Sequence, residues 1–250
     1  MIELPKSSRF CPRDDSLVTV EVGGLTVAPC ILGVVGSMAY GLTREGSDLD
    51  IGGVFVYPTE SLLGLHTPPD SVGGVSSEED FRLHEVGKAI RLLLKANPSV
   101  LELLYLDEYL QVTEDGQSLI DLRESFLATP KVRLAYGGYA VSQLRALQKL
   151  GDRFSSKTAG RTEKHARHVL RLVEQGTSLL TTGTMSVKVA EPGRLFELAA
   201  LVKSDPERFC SLAEQRISKL DTAHSVLPET TDDAQIEKFL LGVRRRHYAG

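Results

Sequence analysis

Hydrophobic positions follow two rhythms along this chain, and the change between them falls near residue 115. Leu17 to Val22 alternates with a period of two, and Gly23-Gly24 followed by Leu25-Thr26-Val27 predicts a hairpin. Ile31 to Val35 is a short apolar run that suits a buried strand. Residues 36–41 read Gly-Ser-Met-Ala-Tyr-Gly; a polar loop to Ser47 leads into Asp48-Leu49-Asp50-Ile51 and an apolar tail through Val56. Residues 66–77, rich in Pro, Gly and Ser, predict a long loop or flap. Phe81 and Leu83 alternate with Asp80 and Arg82, which predicts a strand beside the one carrying Asp48 and Asp50. Val86, Ile90, Leu93 and Leu94 recur at helical spacing until Asn97-Pro98 stops them, and Ser99 caps a further helix.

Beyond residue 115 the spacing is helical. Helices are predicted over 117–127, 131–150, 161–176, 193–202, 206–220 and 231–242, with one short strand signal near Met185–Val189. The expected class is α+β: a first domain over 1–115 with a mixed sheet and flanking helices, then a mostly helical domain over 116–250. The boundary is placed in the Glu114-Asp115-Gly116 turn. Residues 1–16 are polar and predict an arm.

Composition narrows the setting. The 250 residues suffice for a proper core, and 42% hydrophobic with 25% charged residues is ordinary for a globular protein. No stretch approaches a membrane span, and the start lacks the features of a secretory signal. Cys11, Cys30 and Cys210 are far apart and fit neither a disulfide framework nor a zinc site, so a reducing cytoplasm is the expected setting. A net charge of −4 argues against broad nucleic-acid coating but leaves room for a local basic groove.

Residues 36–50 hold the candidate chemistry. Gly36 lets the backbone come close to a ligand, and the Ser37 hydroxyl with nearby amides suits a phosphate. Asp48 and Asp50, two apart on a strand, leave the same face. Two such acids repel unless a cation neutralises them, and Mg²⁺ takes oxygen ligands of this kind together with substrate phosphates. Gly-Ser is also a common turn and Asp-x-Asp a common surface pattern; the order and separation of the two narrow the reading. A third acid on a neighbouring strand is the check. Asp80 is the candidate, with Glu78 and Glu79 as competitors for its role.

A second constellation lies in the helical half. Arg161, Lys164, His168 and Arg171 share one face of a helix whose Ala166, Val169, Leu170 and Val173 supply an apolar side. Such a stripe suits a triphosphate or an RNA backbone, although a solvated face has the same pattern. His165 and His168 have no third ligand nearby and do not make a zinc site. Arg153 and Lys157 ahead of the helix, and Arg244 to Arg246 near the end of the chain, extend the basic positions.

Gly36-Ser37, the spacing to Asp48-x-Asp50 and the apolar run after it resemble the nucleotidyltransferase signature of the DNA polymerase β superfamily. The fuller resemblance is to one branch, the RNA repair pathway DNA polymerase β family. It rests on Gly36 to Gly41, Ser47-Asp48-Leu49-Asp50, Asp80 with Glu85, Lys95-Ala96-Asn97-Pro98 followed by Leu101-Glu102-Leu103-Leu104, then Tyr139, Gln143 and Lys164 to His168. It spans roughly residues 31 to 195. One departure is Gly52-Gly53, where a residue such as arginine is frequent.

The resemblance implies a metal-dependent nucleotidyltransferase. Asp48, Asp50 and Asp80 would be the catalytic acids and bind two Mg²⁺ (or Mn²⁺) ions. Gly36, Ser37, Tyr40, Ser47, Arg161, Lys164 and His168 would contact the nucleotide. The donor would be an NTP and the acceptor a hydroxyl, with a tRNA-like RNA end the first choice. Transfer to a protein or small-molecule hydroxyl, or an inactive nucleotide-binding module, are the rival readings. The helical half suits an RNA platform or a homo-oligomer surface equally.

Overall fold

A computed structural model describes residue 10 and residues 17–75, 79–150 and 159–248. Seven strands occur among them: β1 (Val20–Val22), β2 (Leu25–Val27), β3 (Pro29–Val35), β4 (Leu49–Phe55), β5 (Ser71–Val75), β6 (Glu79–Glu85) and β7 (Gln111–Val112). The helices are α1 (Gly36–Ala39), α2 (Val86–Leu93), α3 (Pro98–Leu101), α4 (Glu114–Asp121), α5 (Thr129–Val132), α6 (Gly138–Leu150), α7 (Ala159–Thr182), α8 (Pro192–Ser204), α9 (Pro206–Thr222) and α10 (Asp233–Arg246). Short 3₁₀ turns span Thr59–Leu62, Glu102–Tyr105 and Arg123–Phe126, and a π turn spans Arg133–Gly137. The class is α+β. Cys11, Glu78, Arg153 and Lys157 lie outside the described residues.

The chain forms two compact units, one of Met1–Leu94, Ser99–Phe126 and Asp232–Gly250, the other of Lys95–Pro98 and Leu127–Thr231. In the first, a five-stranded sheet runs β5-β6-β4-β3-β7, with β4 parallel to β6 and every other pair antiparallel. One face packs Leu32, Val34, Leu49, Ile51, Phe55, Phe81 and Leu83 against Phe10, Val18, Val22, Val27 and Tyr57. That apolar face fixes the register, because a slip of one residue would turn it into water. Asp80 and Arg82 are exposed while Phe81 and Leu83 are buried, as the alternation predicts.

Three elements differ from the expected pattern. The loop expected over 66–77 contains β5, whose extended backbone is held by antiparallel pairing with β6 rather than by its own glycine-rich sequence. Residues 114–116 are the first turn of α4, where Thr113 accepts the Gly116 N–H and Glu114 and Asp115 sit at the positive helix end. The expected boundary therefore falls inside the first unit. The strand signal near Met185–Val189 is irregular chain: Met185 and Val187 are buried, and the Tyr136 hydroxyl donates to Met185 Sδ at 3.6 Å. Among the described residues of the second unit the elements are helices, and none is a strand.

The last helix, α10, belongs to the sheet-bearing unit. Arg244 Nη1 and Nη2 donate to the two Glu85 oxygens at 2.7 and 2.9 Å, and Glu85 also caps α2 by accepting the Gly87 N–H at 2.7 Å. Arg246 and His247 bind Asp115, and the His247 carbonyl accepts the Thr59 N–H at 2.8 Å. In the second unit α7 is central, with α6, α8 and α9 packed on it, so more than one of its faces is interior. No described helix is long and apolar enough to cross a membrane.

Candidate active site

Three strand ends meet where the candidate acids lie. Asp50, second in β4, is the register partner of Val35 at the end of β3 and of Asp80 in β6. Partners across a sheet share a face, so the Asp50 and Asp80 carboxylates stand side by side. Asp48 precedes β4 by one residue; it and Asp80 are exposed, and Asp50 is half-buried. Glu79 pairs with Leu49, one position out of phase with the acids.

Directly after β3 the chain turns at Gly36, whose φ of +66° only glycine adopts without strain. A Cβ there would overlap the Asp50 carboxylate, so the turn can press against Asp50 only because the side chain is missing. Ser37 lies in the one-turn helix α1, and its carbonyl accepts the Leu42 N–H at 2.9 Å. Ser47 closes the loop before the acids: its hydroxyl accepts the Arg44 N–H at 2.9 Å and its N–H donates to the Arg44 carbonyl at 3.0 Å. The Tyr40 hydroxyl donates to Glu102 Oε2 at 2.7 Å.

The opposite side of β4 from the apolar core carries Gly52, opposite Gly33 on β3. A Cβ on Gly52 would come within 2.8 Å of Leu103 Cδ2 and 2.9 Å of Val35 Cγ1, and one on Gly33 would strike Leu106. The paired glycines form a notch into which the turn after α3 sinks. This accounts for glycine at a position where arginine is frequent in the family that the sequence resembles.

Among the described residues, no group of three His, Cys, Asp or Glu side chains forms a ready metal cage. The donor chemistry nevertheless fits Mg²⁺. The ligands are hard carboxylate oxygens, two of them adjacent in register, and Mg²⁺ keeps waters and binds through one or two carboxylates plus substrate phosphates. Asp48, Asp50 and Asp80 could hold such an ion together with a triphosphate.

The second unit changes the basic stripe. Lys164 on α7 is exposed, and the Arg161 side chain lies outside the described residues. Arg171 is only 4% exposed; its guanidinium donates to Gln175 Oε1 at 2.8 Å and meets His168 Nδ1 at 3.1 Å. Arginine can only donate, so His168 Nδ1 accepts and the ring proton sits on Nε2. Burial, then Arg171, His165 and Lys164, lowers the His168 pKa to about 4, so the ring is neutral at pH 7. Tyr139 packs edge-on against it, the centroids 5.6 Å apart. Of the four expected cationic positions, Arg171 is interior and His168 uncharged, because helices pack on α7 from several sides.

Glu102 and Glu85 enter the resemblance as motif positions without a role of their own. Glu102, 3% exposed, lies within the apolar run Leu101 to Leu104. An acid isolated among leucines is the signal that a buried partner exists.

The profile of the RNA repair pathway DNA polymerase beta family matches residues 30–225, more than three quarters of the chain. The chain belongs to this family. The family segment runs from β3 through α9 and includes every candidate site residue, whereas α10 lies beyond it. No curated protein matches the chain. Among solved structures, a nucleotidyltransferase-like protein from Exiguobacterium sibiricum is similar at 14% identity, over 88% of this chain and 74% of that one, with a TM-score of 0.34.

Proposed function

We propose that the chain moves a nucleoside monophosphate from an NTP to a hydroxyl at an RNA end. The acceptor oxygen forms a bond to the α-phosphorus, the bond to the β-phosphate bridging oxygen breaks, and pyrophosphate leaves. A bound Mg²⁺ (or Mn²⁺) supplies positive charge at the phosphates and lowers the pKa of the attacking hydroxyl. Asp48, Asp50 and Asp80 would hold the Mg²⁺ (or Mn²⁺) ions, and the Asp80 carboxylate receives the hydroxyl proton. Gly36 and Ser37 present backbone and hydroxyl donors to the phosphates, with Ser47 bracing the loop that leads to the acids. On α7, Lys164 and Arg161 supply charge for nucleotide or RNA phosphates, and the neutral His168 supplies a hydrogen-bond donor.

The observation that carries this reading is the close fit of Gly36 against Asp50, with Asp80 in register beside it. A phosphate turn and a pair of acids that merely share a sequence need not touch. The RNA acceptor is supported by the family's description.

The test is incubation with each α-labelled NTP, Mg²⁺ or Mn²⁺, and total RNA, beside an Asp48→Asn/Asp50→Asn variant. Label on RNA that is absent from the variant is the expected result and names the nucleotide. Label that survives nuclease but not protease moves the acceptor to a protein hydroxyl. No label on any acceptor, with metal-independent nucleotide binding, overturns transfer in favour of a binding module.

A further inference from the structure

We infer that Glu102 is a positioning residue that, through Tyr40, holds the Gly36 turn against Asp50. The inference rests on the proposed transfer for its kinetic consequences but on geometry for its substance. α1 is a single turn of four residues, too short to be stable by itself. Its start meets Asp50 at Gly36, and Tyr40 ends it, with the Tyr40 N–H donating to the Gly36 carbonyl at 3.1 Å. Whatever fixes Tyr40 therefore fixes the other end of the turn, one helical pitch from the acid.

Glu102 is built to do so. Its Oε2 accepts the Tyr40 hydroxyl at 2.7 Å, and the residue is only 3% exposed. The 3₁₀ turn that begins at Glu102 is itself anchored: Leu103 fills the notch at Gly52, Leu106 fills that at Gly33, and the Tyr109 hydroxyl donates to the Leu103 carbonyl at 2.8 Å. One rigid bracket thus grips β3 and β4 beneath the acids and, through Glu102, the helix that follows β3. In this arrangement the Tyr40 hydroxyl serves the protein frame.

The test uses the full chain with Tyr40→Phe, Glu102→Gln and Glu102→Leu. A carboxamide oxygen still accepts a tyrosine hydroxyl, so Glu102→Gln should keep kcat within about threefold, a margin smaller than the loss of one hydrogen bond. Tyr40→Phe and Glu102→Leu should lower kcat by about tenfold or more, with the KM for NTP within about twofold, because geometry rather than ground-state binding is lost. Glu102→Gln as inactive as Asp50→Asn would overturn the inference, since Glu102 would then act through its charge. Tyr40→Phe at wild-type kcat would overturn it as well. If the wild type transfers nothing, hydrogen exchange at residues 36–41 decides instead. Faster exchange in Tyr40→Phe, restored to wild type in Glu102→Gln, supports the bracket even as the transfer reading fails, and unchanged exchange in Tyr40→Phe overturns it.

Discussion

Gly36 and Asp50 share a space that holds one carboxylate and no second side chain: a Cβ on Gly36 would overlap the Asp50 oxygens. Gly36→Ala therefore has two consequences. The φ of +66° strains any L-residue by about 1 kcal/mol, and Asp50 must rotate away. Nucleotidyl transfer should fall by about 100-fold while the fold persists, because the acid is misplaced rather than removed. Steady-state kinetics beside circular dichroism check this, and a Gly36→Ala variant with full activity contradicts the site.

The notch at Gly52 makes a prediction about stability. Gly52→Ala places a methyl 2.8 Å from Leu103 Cδ2 and 2.9 Å from Val35 Cγ1, closer than carbon atoms tolerate. Both neighbours are held, Leu103 by a buried turn and Val35 by the sheet, so the loss should be about 1–3 kcal/mol. Leu103→Ala in the same chain opens the space, and the double variant should be more stable than the sum of the single losses implies. Chemical denaturation of the three variants measures that coupling.

How much of this was legible in the sequence depended on whether a residue's partner was near in the chain. The sheet strands carrying Asp50 and Asp80 could be read because Leu49, Ile51, Phe81 and Leu83 alternate with the acids. The Gly36 turn could be read only through its order and separation from Asp48 and Asp50, since Gly-Ser by itself is a common turn. β5 could not: Gly73 and Gly74 carry no strand signal, and pairing with β6 makes the strand. The burial of Arg171 was hidden too, since an amphipathic pattern assumes one docked face and α7 is packed on several. Glu102 meets Tyr40 from 62 residues away in the chain, and Arg244 meets Glu85 from 159, so neither pair has a local pattern.

That second pair governs how α10 is held. Glu85 is buried, and Arg244 binds both its oxygens while the Gly87 N–H takes a further share of Oε2. Arg244→Ala leaves the carboxylate inside without its cation, at a cost of about 3–5 kcal/mol. Arg244→Lys should recover only part of this, since an ammonium cannot form the fork. Denaturation midpoints should rank wild type above Arg244→Lys above Arg244→Ala. An Arg244→Ala chain as stable as wild type would show that α10 is held by its other contacts alone.

His168 gives a pH dependence with a definite sign. Its folded pKa is lowered to about 4 from an unfolded value near 6.5, chiefly by burial, then by Arg171, His165 and Lys164. The unfolded chain therefore binds the proton first as pH falls. The neutral ring's contribution to stability is complete above about pH 6.5 and is lost as pH drops toward 4. His168→Gln keeps a side chain that can accept from Arg171 but does not titrate, so its stability should change less across that window. Denaturation of both proteins between pH 4 and 7 makes the comparison. Ring resonances should show His168 uncharged at pH 6, with Nε2 bearing the proton. A ring that titrates near 6.5 would mean that Arg171 does not hold it as the geometry indicates.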